Sequence, residues 1–485
     1  MGLIKFRGRA SASLSTVIAS LSLVMAIAVS ACSSSGTSRS ASTTSRPATP
    51  SSGTAAPAST PAALAADAYV WGMPLVVSMR TAQTFARLIG VNHLFNQAKL
   101  SAPGTGLVVA PNVDTLYSIA VIDLRSGPAV LTVPAIHDRY YTYQFLDMYT
   151  ESFAYVGTRA TAGAAGSWVV TPPGWSGAVP VGDHLLRATT PLVFLLGRFL
   201  VAGASDLPAV RRVMAQVRLV PLASSAAPAG VATGRAAPLG APPGTPQSVP
   251  GAGAAFFDEL GAALAVNPPP TAADRAALAR FAPLGVGPGR RPGAASTRGR
   301  RAVLAEGVGD GAKRVAGAVG TTGQDVNGWQ TRRGQLGRYG DDFLLRAVVA
   351  QSGWGANVPE EAVYVGSVRD AHNDLYSGSH GYVVHFAAGS LPPAKAFWSL
   401  TVYGLDGFLV ANPAGRYAIG DRTPGLQTNK DGSLDFYLRH DSPAGHQANW
   451  LPTPAGGFRL LMRIYLPEPS VLDGTYKLPP VEPAH

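Results

Sequence analysis

A single cysteine, Cys32, stands in 485 residues. That rules out an internal disulfide and a multi-thiolate metal centre for a chain of this length. Charge is also sparse, at 14% of residues, and acidic residues are outnumbered by basic ones, 28 to 39. No H-x-H or H-E-x-x-H pair and no EF-hand spacing occurs, so no metal site is expected. The G-x-S-x-G elbow is absent too, which disfavours an α/β-hydrolase. Gly307-Val308-Gly309-Asp310-Gly311-Ala312 fits a dinucleotide-binding pattern, yet no strand precedes it, and Lys313 misses the Walker spacing by one residue. Both read as coincidences of Gly-rich sequence, so no cofactor is expected. Past residue 31 no apolar run approaches the roughly 20 residues of a spanning helix.

What the chain does have begins at Lys5, Arg7 and Arg9, followed by the uncharged stretch Leu14–Val29 and the tetrapeptide Val29-Ser30-Ala31-Cys32. A basic start, a short apolar core and small residues describe an export signal. Val29–Cys32 resembles the bacterial lipoprotein box, in which the cysteine is acylated and becomes residue one. The expectation is therefore a signal peptide at 1–31 and a lipid anchor (palmitate or similar) on Cys32, placing the rest in the cell envelope. Residues 32–62, nearly all Ser, Thr, Ala, Gly and Pro, form a spacer that cannot bury a core.

Gly 55 and Pro 40 favour turns and strands over long helices. Ala62–Ile89 has helical apolar spacing, with breaks expected at Gly72 and Pro74. TLYSIAVIDL, AVLTVP, RYYTYQFLDMY and SWVVTP then read as strands, which places an N-terminal β-sandwich at 63–222. An Ala/Pro/Gly linker is expected at 223–250 and a helical connecting segment at 251–350. Within that segment, Thr271 and Asp274 have capping-box spacing. Strands return in YVVHF, AFWSLTVYG, LDFYLRH and FRLLMRIYL, giving a C-terminal β-sandwich at 351–480. Phe458, Leu460, Met462, Ile464 and Leu466 alternate with Arg459, Arg463 and Tyr465, one face buried and one polar. The fold class is mainly β with interspersed helices (α+β), built on two antiparallel sandwiches.

The net charge of +11 is carried mostly by arginine. Its one dense patch, Arg290, Arg291, Arg298, Arg300 and Arg301, lies in a Gly/Pro/Ala-rich loop without aromatics, so no nucleic acid is expected as partner. A solvated loop, or contact with an anionic envelope polymer, fits it better.

Pro111-Asn112-Val113-Asp114-Thr115-Leu116-Tyr117 precedes a strand. It reads either as an Asx-stabilised turn or as a rim cluster with Asp114 as base and Asn112 and Tyr117 as orienting donors. Arg139, Tyr141 and Tyr143 share a face that could stack on sugar rings, the plainer reading being a cross-strand aromatic ladder. Asp370, His372, Asp374, His380 and His385 could suggest a metal, but on a strand His380 and His385 point to opposite faces, and Asn373-Asp374 and Ser377-Gly378-Ser379 read more simply as loop chemistry. Paired carboxylates could come from Asp114, Asp123, Asp147, Glu151 or Asp374, but no spacing singles out two.

PNVDTLYS followed by IDL, VLTVP and RYY resembles the N-terminal half of a bacterial family known as domain of unknown function 1254. FWSLTVYG, DGSLDFYL and NWLPTPAGGFRLLMRIYLPEP resemble its usual companion, domain of unknown function 1214. The resemblance implies jelly-roll-like sandwiches on a lectin-like scaffold without an agreed reaction. Its matching polar and aromatic positions are Asn112, Asp114, Tyr117, Arg139, Tyr140, Trp398, Asn449, Trp450, Arg463 and Tyr465. The ligand-binding candidates are therefore Asn112, Asp114, Tyr117, Arg139, Tyr141, Trp398, Asn449 and Arg463. A glycan or similar polar ligand is the expected partner; the alternative is an envelope hydrolase in which Asp114 activates water.

Overall fold

The computed structural model describes residues 60–105, 110–222, 236–320, 323–331 and 334–484. The expected signal peptide, Cys32 and almost all of the expected spacer lie outside the described residues, and everything below concerns the unit Pro61–His485.

The helices are α1 Pro61–Ile89, α2 Leu207–Met214, α3 Ala255–Val266, α4 Ala272–Arg280, α5 Pro292–Ala295, α6 Arg298–Ala318, α7 Phe343–Ser352 and α8 Pro469–Leu472. The N-terminal strands are β1 Phe95–Asn96, β2 Thr115–Asp123, β3 Ala129–Val133, β4 Tyr141–Asp147, β5 Ser152–Gly157, β6 Gly166–Thr171, β7 His184–Arg187, β8 Leu192–Leu200 and β9 Arg218–Pro221. They form two sheets, ordered β1-β2-β8-β4-β5 and β7-β6-β3-β9. Leu116, Ala120, Tyr141, Tyr143, Val193 and Phe199 of the first sheet meet Leu131, Trp168 and Val170 of the second in one buried core. Alternation of side chains on each strand makes this inevitable once the two apolar faces stack.

The C-terminal strands are β10 Gln324–Val326, β11 Trp329–Thr331, β12 Ala362–Ser367, β13 Tyr382–Phe386, β14 Ala394–Gly404, β15 Ala418–Gly420, β16 Leu434–Arg439, β17 Trp450–Pro452, β18 Phe458–Pro467 and β19 Val481–Pro483. Their sheets run β10-β11-β12-β18-β14-β15 and β17-β16-β13-β19. Between them lie Trp398, Leu400, Leu460, Met462 and Ile464 from one sheet and Val384, Phe436 and Leu438 from the other. Pairing is antiparallel throughout except for β6 with β7 and β16 with β17. The expected mainly-β architecture of two open sandwiches is what forms. Two boundaries differ: β10 and β11, inside the expected helical segment 251–350, join the C-terminal sheet, and β19 extends that sandwich past residue 480 by pairing with β13.

The helices do not merely connect. They cover the outer face of the first sheet, where Val121, Leu146, Phe194 and Leu196 share a core with α1, α3, α4, α6 and α7. At its centre α1 runs unbroken through Gly72 and Pro74. An interior proline costs about 3 kcal/mol, but Tyr69, Trp71, Met73 and Leu75 are all fully buried, and each such side chain contributes about 1.5–3 kcal/mol. Burial wins. The glycine serves close packing, since a Cβ at Gly72 would run into the Leu260 methyls. Gly307 and Gly311 act likewise on α6, lying against Ala65 and Tyr69 of α1. Packing thus accounts for two glycines of the coincidental nucleotide pattern, whereas Gly309 faces open space. By length and composition α1 could also cross a membrane, contrary to the sequence expectation, yet 78% of its apolar window is buried inside the fold.

Two further expectations are corrected. The described part of the 223–250 linker is docked: Arg125 donates to the Ala237 carbonyl, Gln83 to that of Leu239, and Arg80 to that of Thr245. The arginine patch is half helix, because Thr297 caps α6 by accepting from the Arg300 N–H, placing Arg298, Arg300 and Arg301 in its first turn. Capping chemistry overrides loop-like composition there.

Candidate functional site

The outer face of the first N-terminal sheet is only half covered by helices. Its other half, carrying Tyr117, Thr142, Gln144 and Arg198, meets the C-terminal sandwich. The surface it meets is the non-core face of β12, β14 and β18, where Phe397, Ser399, Thr401, Tyr403, Arg463 and Tyr465 alternate with the core residues. On β2 and β8, Tyr117 and Arg198 are directly opposed; on β12 and β18, Tyr364 and Arg463 are directly opposed. Each domain thus brings a tyrosine–arginine pair to the junction.

Arg198 and Arg463 are buried, at 5% and 3% exposure. Arg198 donates to Gln144 Oε1, Asn357 Oδ1 and the Gly355 carbonyl, and its guanidinium lies 5.6 Å from the Tyr117 ring centre. Arg463 donates to Thr401 Oγ1, the Ala110 carbonyl and the Tyr403 hydroxyl. Burial opposes charge on both, but the surrounding tyrosines more than offset it, so both stand above the ordinary arginine pKa. The Tyr465 hydroxyl sits among Tyr364, Tyr117 and the two guanidiniums, and burial first, then those phenols, raises its pKa well above the usual value.

The PNVD segment straps the domains together. Asn112 Nδ2 donates to the Tyr465 hydroxyl at 2.7 Å, and Asn112 Oδ1 accepts from the Asp114 N–H. Asp114 accepts from Ser399 Oγ at 2.5 Å and from Arg422 Nη2 at 2.6 Å. Arg422 in turn lies 4.3 Å over the Phe397 ring. The Asx-turn geometry read from sequence is present, and its side chains reach a different domain. Alongside, Tyr140 donates to Glu361 Oε1 and Arg159 to Glu361 Oε2, and Tyr140, Phe397 and Tyr465 form an aromatic cluster.

The candidates Asn112, Asp114, Tyr117 and Arg463 therefore converge here. The others do not. Tyr141 is fully buried in the N-terminal core, stacked on Phe199. Arg139 precedes β4 and is tied to Asp206 and Asp138, so no stacking face forms with Tyr141 and Tyr143. Trp398 belongs to the C-terminal core. Asn449 clamps a loop, its amide exchanging hydrogen bonds with the Gln427 backbone. Each was a candidate by residue type; sheet stacking buries Tyr141 and Trp398, ion pairs hold Arg139 and a loop holds Asn449.

Arg198, Tyr364, Glu361, Ser399 and Arg422 were missed. Arg198 carried a usable signal: an arginine within the otherwise apolar strand LVFLLGRFL must be buried with partners. Elsewhere, Asp147 and Glu151 come together with pKa values raised to about 6 and about 7 respectively, chiefly by burial. Their oxygens hold backbone N–H groups, Asp147 those of Tyr149 and Glu151, and Glu151 those of Tyr339 and Gly340. That is a loop-fastening role. Asp370 likewise accepts from the His372 and Asp374 N–H groups, the loop chemistry expected of that stretch.

Residues 91–221 match the family described as Protein of unknown function (DUF1254), and residues 361–469 match Protein of unknown function (DUF1214). The fold is similar to that of the VPA0106 protein from Vibrio parahaemolyticus, with 23% identity and a TM-score of 0.63, covering 88% of this chain and 100% of that one. A weaker likeness, 15% identity and a TM-score of 0.42 over 86% of this chain and 87% of the other, links it to an uncharacterized protein from Burkholderia cenocepacia. No curated protein matches it. The matched segments lie within the two sandwiches, in the order read from the sequence, so the two halves of the chain match domain of unknown function 1254 and domain of unknown function 1214 respectively.

Proposed function

We propose that this chain is a membrane-tethered protein outside the cytosol that binds a glycan or similar polar, ring-containing ligand at the junction of its two sandwiches. The observation that carries the reading is the pair of opposed tyrosine–arginine couples, Tyr117 with Arg198 and Tyr364 with Arg463, with Tyr117 and Tyr364 only half-buried. Apolar sugar faces stack on phenol rings, and hydroxyls need fixed donors and acceptors. Asn112 and Tyr465, already held in place, provide those. The hydrolase alternative is less well supported. Asp114 is buried and each of its oxygens already accepts a hydrogen bond, from Ser399 and from Arg422, which suits an anchor better than a base.

Thermal-shift screening of the full chain against neutral and acidic envelope saccharides tests this. A ligand at 100 times its Kd adds about 2.7 kcal/mol of stability, and Tyr117→Ala is expected to abolish the shift. Turnover of an ester or glycoside that Asp114→Asn removes, without any binding shift, would establish the hydrolase instead. The tether is tested separately: Cys32→Ser is expected to move the protein from the membrane to the soluble fraction. Continued membrane attachment of that variant would refute lipidation.

A further inference from the structure

Two fully buried arginines in one junction need anions. Buried charges in proteins are paired with opposite charges or metals, because an uncompensated one is costly. Five arginines of the described residues keep that rule: Arg80 pairs with Glu259, Arg139 with Asp206, Arg159 with Glu361, Arg346 with Asp274 and Arg422 with Asp114. Arg198 and Arg463 have no such ion pair, since among the described residues the groups they hydrogen-bond are amides, hydroxyls and backbone carbonyls. Neutral acceptors orient a guanidinium without cancelling its charge.

Donor counting points the same way. A guanidinium has five N–H donors. Arg198 uses three of them, two on Nη1 and one on Nη2, leaving Nε–H and one Nη2–H. Arg463 uses one on Nη1 and both on Nη2, leaving Nε–H and one Nη1–H. The Nε–H and Nη2–H groups left on Arg198 belong to the edge that matches a planar carboxylate. Tyr117 stands beside Arg198, its ring centre 5.6 Å from the guanidinium, and Tyr364 is directly opposed to Arg463.

We infer that Arg198 and Arg463 form a carboxylate subsite at the junction, so that the ligand taken there is a small organic acid such as an acidic sugar. This deepens the binding reading above and rests on it for the location of the site. In this arrangement the ligand supplies the negative charge that the protein withholds, Arg198 grips the carboxylate, Arg463 approaches from the other domain, and the tyrosines flank the ring. Binding then draws the two domains together.

The test compares galacturonate with galactose, which share a ring and differ in the carboxylate, alongside acetate, benzoate and inorganic phosphate, all on the full chain. Galacturonate at about 10 mM is expected to raise Tm, with affinity at least about tenfold above that of galactose. Arg198→Lys and Arg463→Lys keep the charge and lose the fork, and each is expected to weaken galacturonate by about tenfold or more while leaving circular dichroism unchanged. Should both substitutions fail to fold, Tyr117→Phe and Tyr364→Phe provide the second set, expected to weaken galacturonate without altering its preference over galactose. Galactose binding as tightly as galacturonate overturns the carboxylate subsite but leaves the glycan reading standing. The converse, simple carboxylates binding while neutral sugars do not, supports the subsite and removes the glycan. Phosphate displacing every carboxylate, or no carboxylate shifting Tm at all, overturns the inference.

Discussion

Asp274→Ala is expected to lower the unfolding free energy by about 3–5 kcal/mol, the cost of leaving a buried charge without its partner. Asp274 and Arg346 are both completely buried and joined at 2.8 Å. Asp274 also accepts from Trp71 Nε1 at 3.0 Å and from Thr271 Oγ1 at 2.7 Å, so one carboxylate ties α4 to α1 and α7. Among the described residues Asp274 is the one carboxylate that hydrogen-bonds Arg346: its Nε and Nη1 have no hydrogen-bond partner, the rings of Phe343 and Tyr149 lie against it, and Asp147 and Glu151 act on it only through charge. Removing the carboxylate therefore strands a cation in the helical core. The double variant Asp274→Ala/Arg346→Met should recover most of the loss, because apolar replacement of a whole buried pair is often neutral. Equilibrium urea unfolding measures both. A single-variant loss below about 1 kcal/mol would show that water or a rearrangement reaches Arg346.

The second large effect falls at the junction. Asp114→Ala is expected to cost about 3 kcal/mol and to uncouple the two sandwiches, turning one calorimetric transition into two. Asp114 is the acceptor for Ser399 on β14 and the nearest counter-charge for Arg422, whose Nε and Nη1 are buried without a hydrogen-bond partner, Asp421 lying 4.0 Å from Nε. Arg422 retains some exposure, at 22% of its side chain, and keeps Asp421 as a second counter-charge, so the loss lies toward the low end of what breaking a buried pair costs. Each sandwich owns a separate core, which is why loss of the strap should reveal separate unfolding. Addition of Arg422→Met to Asp114→Ala should restore stability. An Asp114→Ala variant that melts as one unit at the original temperature would show that the aromatic cluster of Tyr140, Phe397 and Tyr465 holds the domains alone.

Local pattern was a good guide wherever a local force decides. The strand alternation of FRLLMRIYL holds from Phe458 to Ile464, with the even positions in the core. It ends at Leu466, which takes a positive φ of 48° and packs instead with the junction aromatics. Thr271 caps α4 by accepting from the Asp274 N–H, as its spacing requires. Local pattern failed where a residue's partner is remote. Pro74 was expected to break α1, and the surrounding helices bury that turn instead. Arg139, Tyr141, Trp398 and Asn449 have the residue types of a binding surface, yet packing and loop-clamping take all four.

By itself, then, the sequence determined the clearly alternating strands such as β14 and β18, the Thr271 cap of α4 and the match of each half to its domain, because period, capping and turn chemistry act over a few residues. Only the tertiary structure decided what covers the polar faces. Alternation says that Ser399, Thr401, Arg463 and Tyr465 differ from their neighbours, not whether water or another domain lies against them. Ser399 meets Asp114 across 285 positions and Asn112 meets Tyr465 across 353, separations at which no local periodicity leaves a trace.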